Sequence, residues 1–93
     1  MIYLLEDDDN IRELVIYTLE TTGLKARGFA DGSAFTEALA FETPELILLD
    51  IMLPGEDGLS LLGKLKSSSK TKDIPVIMVT AKGCLLYTSD AAD

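Results

Sequence analysis

Histidine is absent from the 93 residues, and cysteine occurs once, at Cys84. With no imidazole, the chain lacks the commonest general base and the commonest zinc ligand, so any chemistry it carries runs on carboxylates and hydroxyls. A lone cysteine forms no internal disulfide, which fits a reducing compartment and sets the chain apart from disulfide-stapled miniproteins. Basic residues are scarce: 8 Lys and Arg face 16 Asp and Glu, a formal net charge of −8. A field of that sign repels nucleic-acid phosphates and attracts cations, which argues against direct DNA binding by this segment. Long apolar runs are missing too. The N-terminal run Met1 to Leu5 meets Glu6, Asp7, Asp8 and Asp9 before it reaches the length of a signal sequence. The expectation is a cytoplasmic chain that does not engage a membrane.

What remains is the composition of an ordinary globular domain, 47% hydrophobic and 26% charged, at a length that allows one modest core. Short apolar runs alternate with helix-period segments, the pattern of βαβ units and a mainly parallel sheet. Residues 2–5 read as a first strand. Asn10 and Glu13 resemble a capping box, followed by an amphipathic helix with Ile11, Leu14, Val15 and Leu19 inward and Gly23 closing it. Leu24 to Phe29 reads as a second strand, and Asp31 as the cap of a helix facing inward with Ala34, Phe35, Ala38 and Leu39. Pro44 opens Glu45-Leu46-Ile47-Leu48-Leu49, a strand apolar on both faces that ends in Asp50. Residues 51–58 have turn composition, Leu59, Leu61, Leu62 and Leu65 belong to a third helix, and Val76 to Val79 form a fourth strand. Lys64, Lys66, Lys70 and Lys72 read as a solvated surface around the third helix.

Ligands of an open parallel sheet bind beyond the carboxyl ends of its strands. The first strand ends in Glu6 and Asp7, the third in Asp50 and the fourth in Thr80, so three acids and a hydroxyl converge on one edge. Acids held together repel unless a cation is bound, and an all-oxygen set suits Mg2+ better than zinc. The run Glu6 to Asp9 also suits a solvated loop at a helix N-terminus. Asp50 fits that reading poorly, because it interrupts an apolar stretch at a desolvation cost.

Three segments carry a family resemblance: Tyr3-Leu4-Leu5-Glu6-Asp7-Asp8; Pro44 to Asp50 with Met52-Leu53-Pro54-Gly55 and Asp57-Gly58; and Asp73 to Ala81. In order and spacing they resemble the receiver domain of bacterial two-component response regulators, and Met52 to Gly55 is similar to the branch that precedes winged-helix DNA-binding domains. The resemblance implies an α/β, flavodoxin-like fold with strand order 2-1-3-4-5. It implies a signalling domain rather than an enzyme, one that assists only its own phosphoryl transfer and hydrolysis. Asp50 would accept a phosphoryl group from a sensor histidine kinase. Asp7, Asp50 and the Met52 carbonyl would ligate Mg2+, with Glu6 acting through water. Thr80 would donate to a phosphoryl oxygen, Ala81 would leave room for the donor, and Met52 and Lys82 would flank the phosphoryl group; the alternatives for these two are a rim contact and a solvated lysine. Homodimerisation and DNA binding would belong to a full-length protein.

The resemblance covers residues 1–83. The fourth helix, the fifth strand with its lysine, and the fifth helix have no counterpart, which implies an impaired switch and an exposed edge at Val76 to Val79. Residues 84–93 match the translation of a transposase-type sequencing adapter and are read as a non-native tail, the alternative being a divergent fourth helix. Two other readings compete. A Mg-dependent phosphatase would want Asp-x-Asp, and Asp50-Ile51-Met52 lacks the second acid. A pseudo-receiver binding module would not need the intact acid set.

Overall fold

The structure, a computed structural model, describes residues 1–50, 52–53, 56–79 and 86–88, with side chains for residues 1–50 and 58–78. In chain order the elements are β1 (Ile2–Leu5), α1 (Asp9–Thr21), β2 (Ala26–Phe29), α2 (Gly32–Leu39), β3 (Leu46–Asp50), β4 (Met52–Leu53), β5 (Glu56–Asp57), α3 (Gly58–Ser67), β6 (Val76–Val79) and β7 (Leu86–Thr88). One sheet runs in the order β2-β1-β3-β6-β7, and β4 and β5 form a separate two-stranded ribbon. The pairings β1 with β2, β1 with β3 and β3 with β6 are parallel, as expected of successive βαβ crossovers. Among the described residues, the four parallel strands and three helices make the parallel α/β sheet that the alternation of apolar runs implies, in the flavodoxin-like architecture that the family resemblance implies.

The core lies on the face covered by α2 and α3. Tyr3, Leu5, Ile47, Leu49, Val76 and Met78, alternate residues of three neighbouring strands, meet Phe35, Ala38 and Leu39 of α2 and Leu61 and Leu65 of α3. Tyr3, Phe29 and Phe35 pack edge to face with ring centroids 4.9 to 6.2 Å apart. The buried Tyr3 hydroxyl donates to Glu42 Oε1 at 2.8 Å, tying β1 to the segment before β3.

α1 covers the other face, with Ile11, Val15, Ile16 and Leu19 half-buried and no residue fully so. Leu14, expected inward, is 63% exposed. At 100° per residue it lies roughly a third of a turn from the centre of the sheet-facing stripe. Ala34 of α2 is likewise exposed, its backbone N–H held by the Asp31 side chain at 2.9 Å. Asp31 is the cap expected of it. The cap of α1, however, is Asp8 rather than Asn10: Asp8 Oδ1 accepts from the N–H groups of Asn10 and Ile11 at 2.9 and 3.1 Å. A carboxylate complements the helix dipole better than an amide does, so the helix starts earlier and takes Asn10 into its first turn. Gly23, at φ 91°, lets the chain leave α1 through a left-handed residue, and the N–H groups of Gly23 and Leu24 bond back to Glu20 and Leu19.

Two further expectations are corrected. The stretch after Asp50 contains short paired strands, Met52 opposite Asp57 and Leu53 opposite Glu56, in place of a plain turn. The outer edge of β6 is not bare either, because Leu86–Thr88 pairs antiparallel along it, with Ile77 opposite Thr88 and Val79 opposite Leu86. An edge of unpaired N–H and C=O groups accepts an extended segment through backbone bonds alone.

Removing residues 84–93 therefore uncovers β6. The 1–83 chain is expected to self-associate more strongly than the 93-residue chain in sedimentation velocity runs at matched concentrations. Identical sedimentation would show that β7 does not guard this edge.

Candidate functional site

Strand register builds the site. Leu5 lies opposite Leu49 in the β1–β3 pair, so the next residues, Glu6 and Asp50, emerge side by side at the carboxyl end of the sheet. Asp50 in turn lies opposite Val79 of β6, the residue before Thr80. Glu6 and Asp50 are only 5% and 6% exposed, whereas Asp7 is open to solvent. One carboxylate oxygen from each of Glu6, Asp7 and Asp50 falls within 4.8 Å of the others.

The backbone at the end of β1 is held tightly. The Glu6 N–H donates to the Phe29 carbonyl at 3.0 Å, and the Glu6 carbonyl accepts from Arg12 Nη1 at 2.8 Å. The Glu6 carboxylate accepts from the Asp8 N–H at 3.1 Å. Burial pushes the Glu6 carboxyl up from its ordinary value near 4.5 to about 7. The Asp8 N–H opposes that rise, while the charges of Asp50 and Asp7 and a hydrogen bond with Asp50 add to it.

Three oxygen donors, two of them shielded from water, with neither nitrogen nor sulfur among them, are the donor set of a hard divalent cation. A bound cation would relieve the repulsion from Asp50 and Asp7 that adds to the effect of burial on Glu6. A cavity of about 330 Å³ between α2 and α3 is lined by Leu39, Leu61, Leu65 and Lys64 among others and by no acid, so it is a separate feature.

Of the residues expected at the site, the structure brings together Glu6, Asp7 and Asp50. Met52 is placed in its backbone only, in β4. Thr80, Ala81 and Lys82 lie outside the described residues. Sequence reasoning passed over Arg12, whose guanidinium reaches back to the Glu6 carbonyl and pairs with Asp9. Its one sequence signal is the i, i+3 spacing from Asp9, which any solvated helix surface shares.

The raised Glu6 has a consequence for stability. Glu6 ionises near 4.5 when unfolded and near 7 when folded, so the folded state keeps the extra proton between these values. The stability this contributes is complete below about 4.5 and is lost as pH rises through about 7. In metal-free buffer the melting temperature is expected to fall between pH 5.5 and 8.5 by more in the wild-type chain than in Glu6→Gln. Parallel curves for the two proteins would show that Glu6 is not the group responsible.

The profile of the family described as "Response regulator receiver domain" matches residues 2–93. The chain is 43% identical over 82 residues to the phosphate regulon transcriptional regulatory protein PhoB of Escherichia coli K12, an alignment covering 88% of this chain and 36% of that one. It thus spans about a third of the length of that regulator. Among solved structures, the N-terminal domain of a response regulator receiver protein from Methanoculleus marisnigri superposes with a TM-score of 0.82 at 37% identity, covering 87% of this chain and 66% of that one. The response regulator TrrA of Thermotoga maritima, solved in complex with Mg2+ and BeF, matches with a TM-score of 0.78 at 30% identity, covering 88% and 70%.

Proposed function

Since the chain belongs to the response regulator receiver domain family, the signalling module of two-component systems, we propose that Asp50 is its phosphoacceptor and that Glu6, Asp7 and Asp50 serve a magnesium ion there. The observation that carries this reading is the burial of Asp50 at the end of β3 with its carboxylate within reach of two other acids. The Mg2+ complex of TrrA supports the choice of ion.

In the proposed reaction an Asp50 oxygen forms a bond to phosphorus while the bond from phosphorus to a histidine nitrogen of a sensor kinase breaks, and the released imidazole takes up a proton. Magnesium, when bound, neutralises charge on the phosphoryl oxygens. Asp7 and Asp50 would hold it directly together with the Met52 carbonyl, and Glu6 through water. The chain's own share is positioning: β1 and β3 fix two carboxylates where water is largely excluded, and charge interactions are strong there. Thr80 would donate its hydroxyl to a phosphoryl oxygen, Ala81 would admit the donor, and Met52 and Lys82 would flank the group. A winged-helix output, DNA binding and homodimerisation are proposed for a longer protein carrying this domain; the relative PhoB, named as a transcriptional regulatory protein, supports an output in transcription. Among the described residues no helix is long and apolar enough to cross a membrane, and we place the domain in the cytoplasm with its kinase partner. The receiver unit is proposed to be residues 1–83, with residues 84–93 as an adapter-derived tail whose pairing to β6 uses backbone groups.

Incubation with acetyl phosphate and Mg2+, reductive trapping and mass spectrometry are expected to locate one phosphoryl group on Asp50, with none trapped on Asp50→Asn. Label on another residue of the wild-type chain would overturn the assignment, and no label at all would favour a pseudo-receiver binding module. Because Glu6 holds its proton to about pH 7, magnesium binding at pH 6.5 is expected to release protons. Calorimetry in two buffers of different ionisation enthalpy would detect this, and apparent affinity should rise from pH 6 to 8. Enthalpies independent of buffer would remove Glu6 from the site.

A further inference from the structure

Arg12 lies on α1, yet its bonds run to the end of β1. Nη1 donates to the Glu6 carbonyl at 2.8 Å, and Nη2 pairs with the Asp9 carboxylate. Its side chain is only 17% exposed, unlike that of Asp9 at 76%. The aliphatic stem crosses β2 at Gly28, the one place where the strand offers no side chain. A Cβ on Gly28 would come within 2.8 Å of Arg12 Cγ, 2.9 Å of Arg12 Cδ and 2.6 Å of Ile16 Cδ1. Glycine in a strand interior weakens it, and close approach of another group is a recognised reason for its presence.

The Glu6 carbonyl belongs to the peptide joining Glu6 to Asp7. Whatever holds that carbonyl sets the plane of the peptide, and with it the direction in which Asp7 leaves the strand. Asp7 has little else to hold it: among the described residues no hydrogen bond to its carboxylate is seen. We propose that Arg12, seated in the slot left by Gly28, is a positioning residue that fixes the Glu6–Asp7 peptide and so aims the Asp7 carboxylate into the acidic pocket. This rests on the reading of that pocket as a magnesium site. Arg12 touches neither metal nor phosphoryl group and acts only through the backbone.

Positioning by Arg12 and the simple electrostatics of its charge act on magnesium affinity with opposite signs. A positive charge near a cation site disfavours the cation, so removing it should tighten magnesium binding if charge alone matters. Positioning demands the opposite. Arg12→Met keeps an apolar stem over Gly28 and loses the guanidinium. It is expected to weaken Mg2+ affinity about tenfold, the scale seen when groups that orient metal ligands are lost. Gly28→Ala keeps the arginine but fills its slot and should weaken binding in the same direction. Asp9→Ala removes only the other acceptor and should leave affinity within about twofold, because the bond to the Glu6 carbonyl survives. Isothermal titration of the full 93-residue chain with MgCl2 provides the affinities, and far-UV circular dichroism confirms that each variant is folded. Unchanged or tighter binding in Arg12→Met overturns the proposal, as does weakening in Asp9→Ala equal to that in Arg12→Met. A second readout needs no metal: amide hydrogen exchange at Asp7 and Asp8 in the metal-free protein should speed up in both Arg12→Met and Gly28→Ala, and unchanged exchange there refutes the positioning role. If the wild-type chain itself binds no magnesium, the metal reading fails and the exchange data alone decide whether Arg12 holds the peptide.

Discussion

Two carboxyl groups, those of Glu6 and Asp50, sit side by side and shielded from water because β1 and β3 run parallel in a fixed register. Like charges in that position repel, and a buried charge is costly without a partner. The molecule meets the cost in two ways: a proton stays on Glu6 up to about pH 7, and the Asp8 N–H bonds to its carboxylate. A hard divalent ion would supply a third, and the same ion suits the phosphoryl chemistry proposed for Asp50. The mutual repulsion of the three acids is what a bound cation would relieve. The Glu6 carboxyl, raised chiefly by its burial, makes the stability of the fold depend on pH in a direction opposite to that of an ordinary salt-bridged acid.

The two faces of the sheet are built to different standards. Under α2 and α3, an interlocked group of aliphatic residues and three rings is almost wholly removed from water. Under α1 the coverage is partial, and Leu14 and Tyr17 point outward at 63% and 68% exposure. α1 is nevertheless tied to the site through its first turn, since Asp8 caps it and Arg12 reaches from it to Glu6. The acidic pocket therefore draws its rigidity from the well-packed face through β1 and β3, and part of its backbone geometry from the more exposed helix.

Some of this was readable residue by residue. Leu46 to Leu49 is apolar on both faces, which marks a central strand, and an aspartate directly after it is hard to explain as mere surface. Asp31, with Phe35, Ala38 and Leu39 at helical spacing, announced both the start and the buried face of α2, and Gly23 announced the end of α1. The errors share a cause. Local pattern points to Asn10 as a cap and to Leu14 and Ala34 as inward residues, but capping is decided by which side chain lies nearest the free N–H groups. The inward stripe of a helix is decided by how it lies on the sheet. The pairing of Leu86–Thr88 with β6 was invisible because backbone hydrogen bonds along an open edge ask little of side-chain identity.

By itself the sequence determined the alternation of strands and helices, the placement of acids at strand ends and the all-oxygen character of the pocket. Those properties depend on residue type and short-range periodicity, which are written locally along the chain. Only the tertiary structure decided that Glu6, Asp7 and Asp50 come within 4.8 Å of one another, that Glu6 is buried enough to hold its proton, and that Gly28 makes room for Arg12 to reach the Glu6 carbonyl. Each of these turns on the register between strands or on the seating of a helix across them. Such contacts join residues far apart in the chain, and the packing of the whole core selects them.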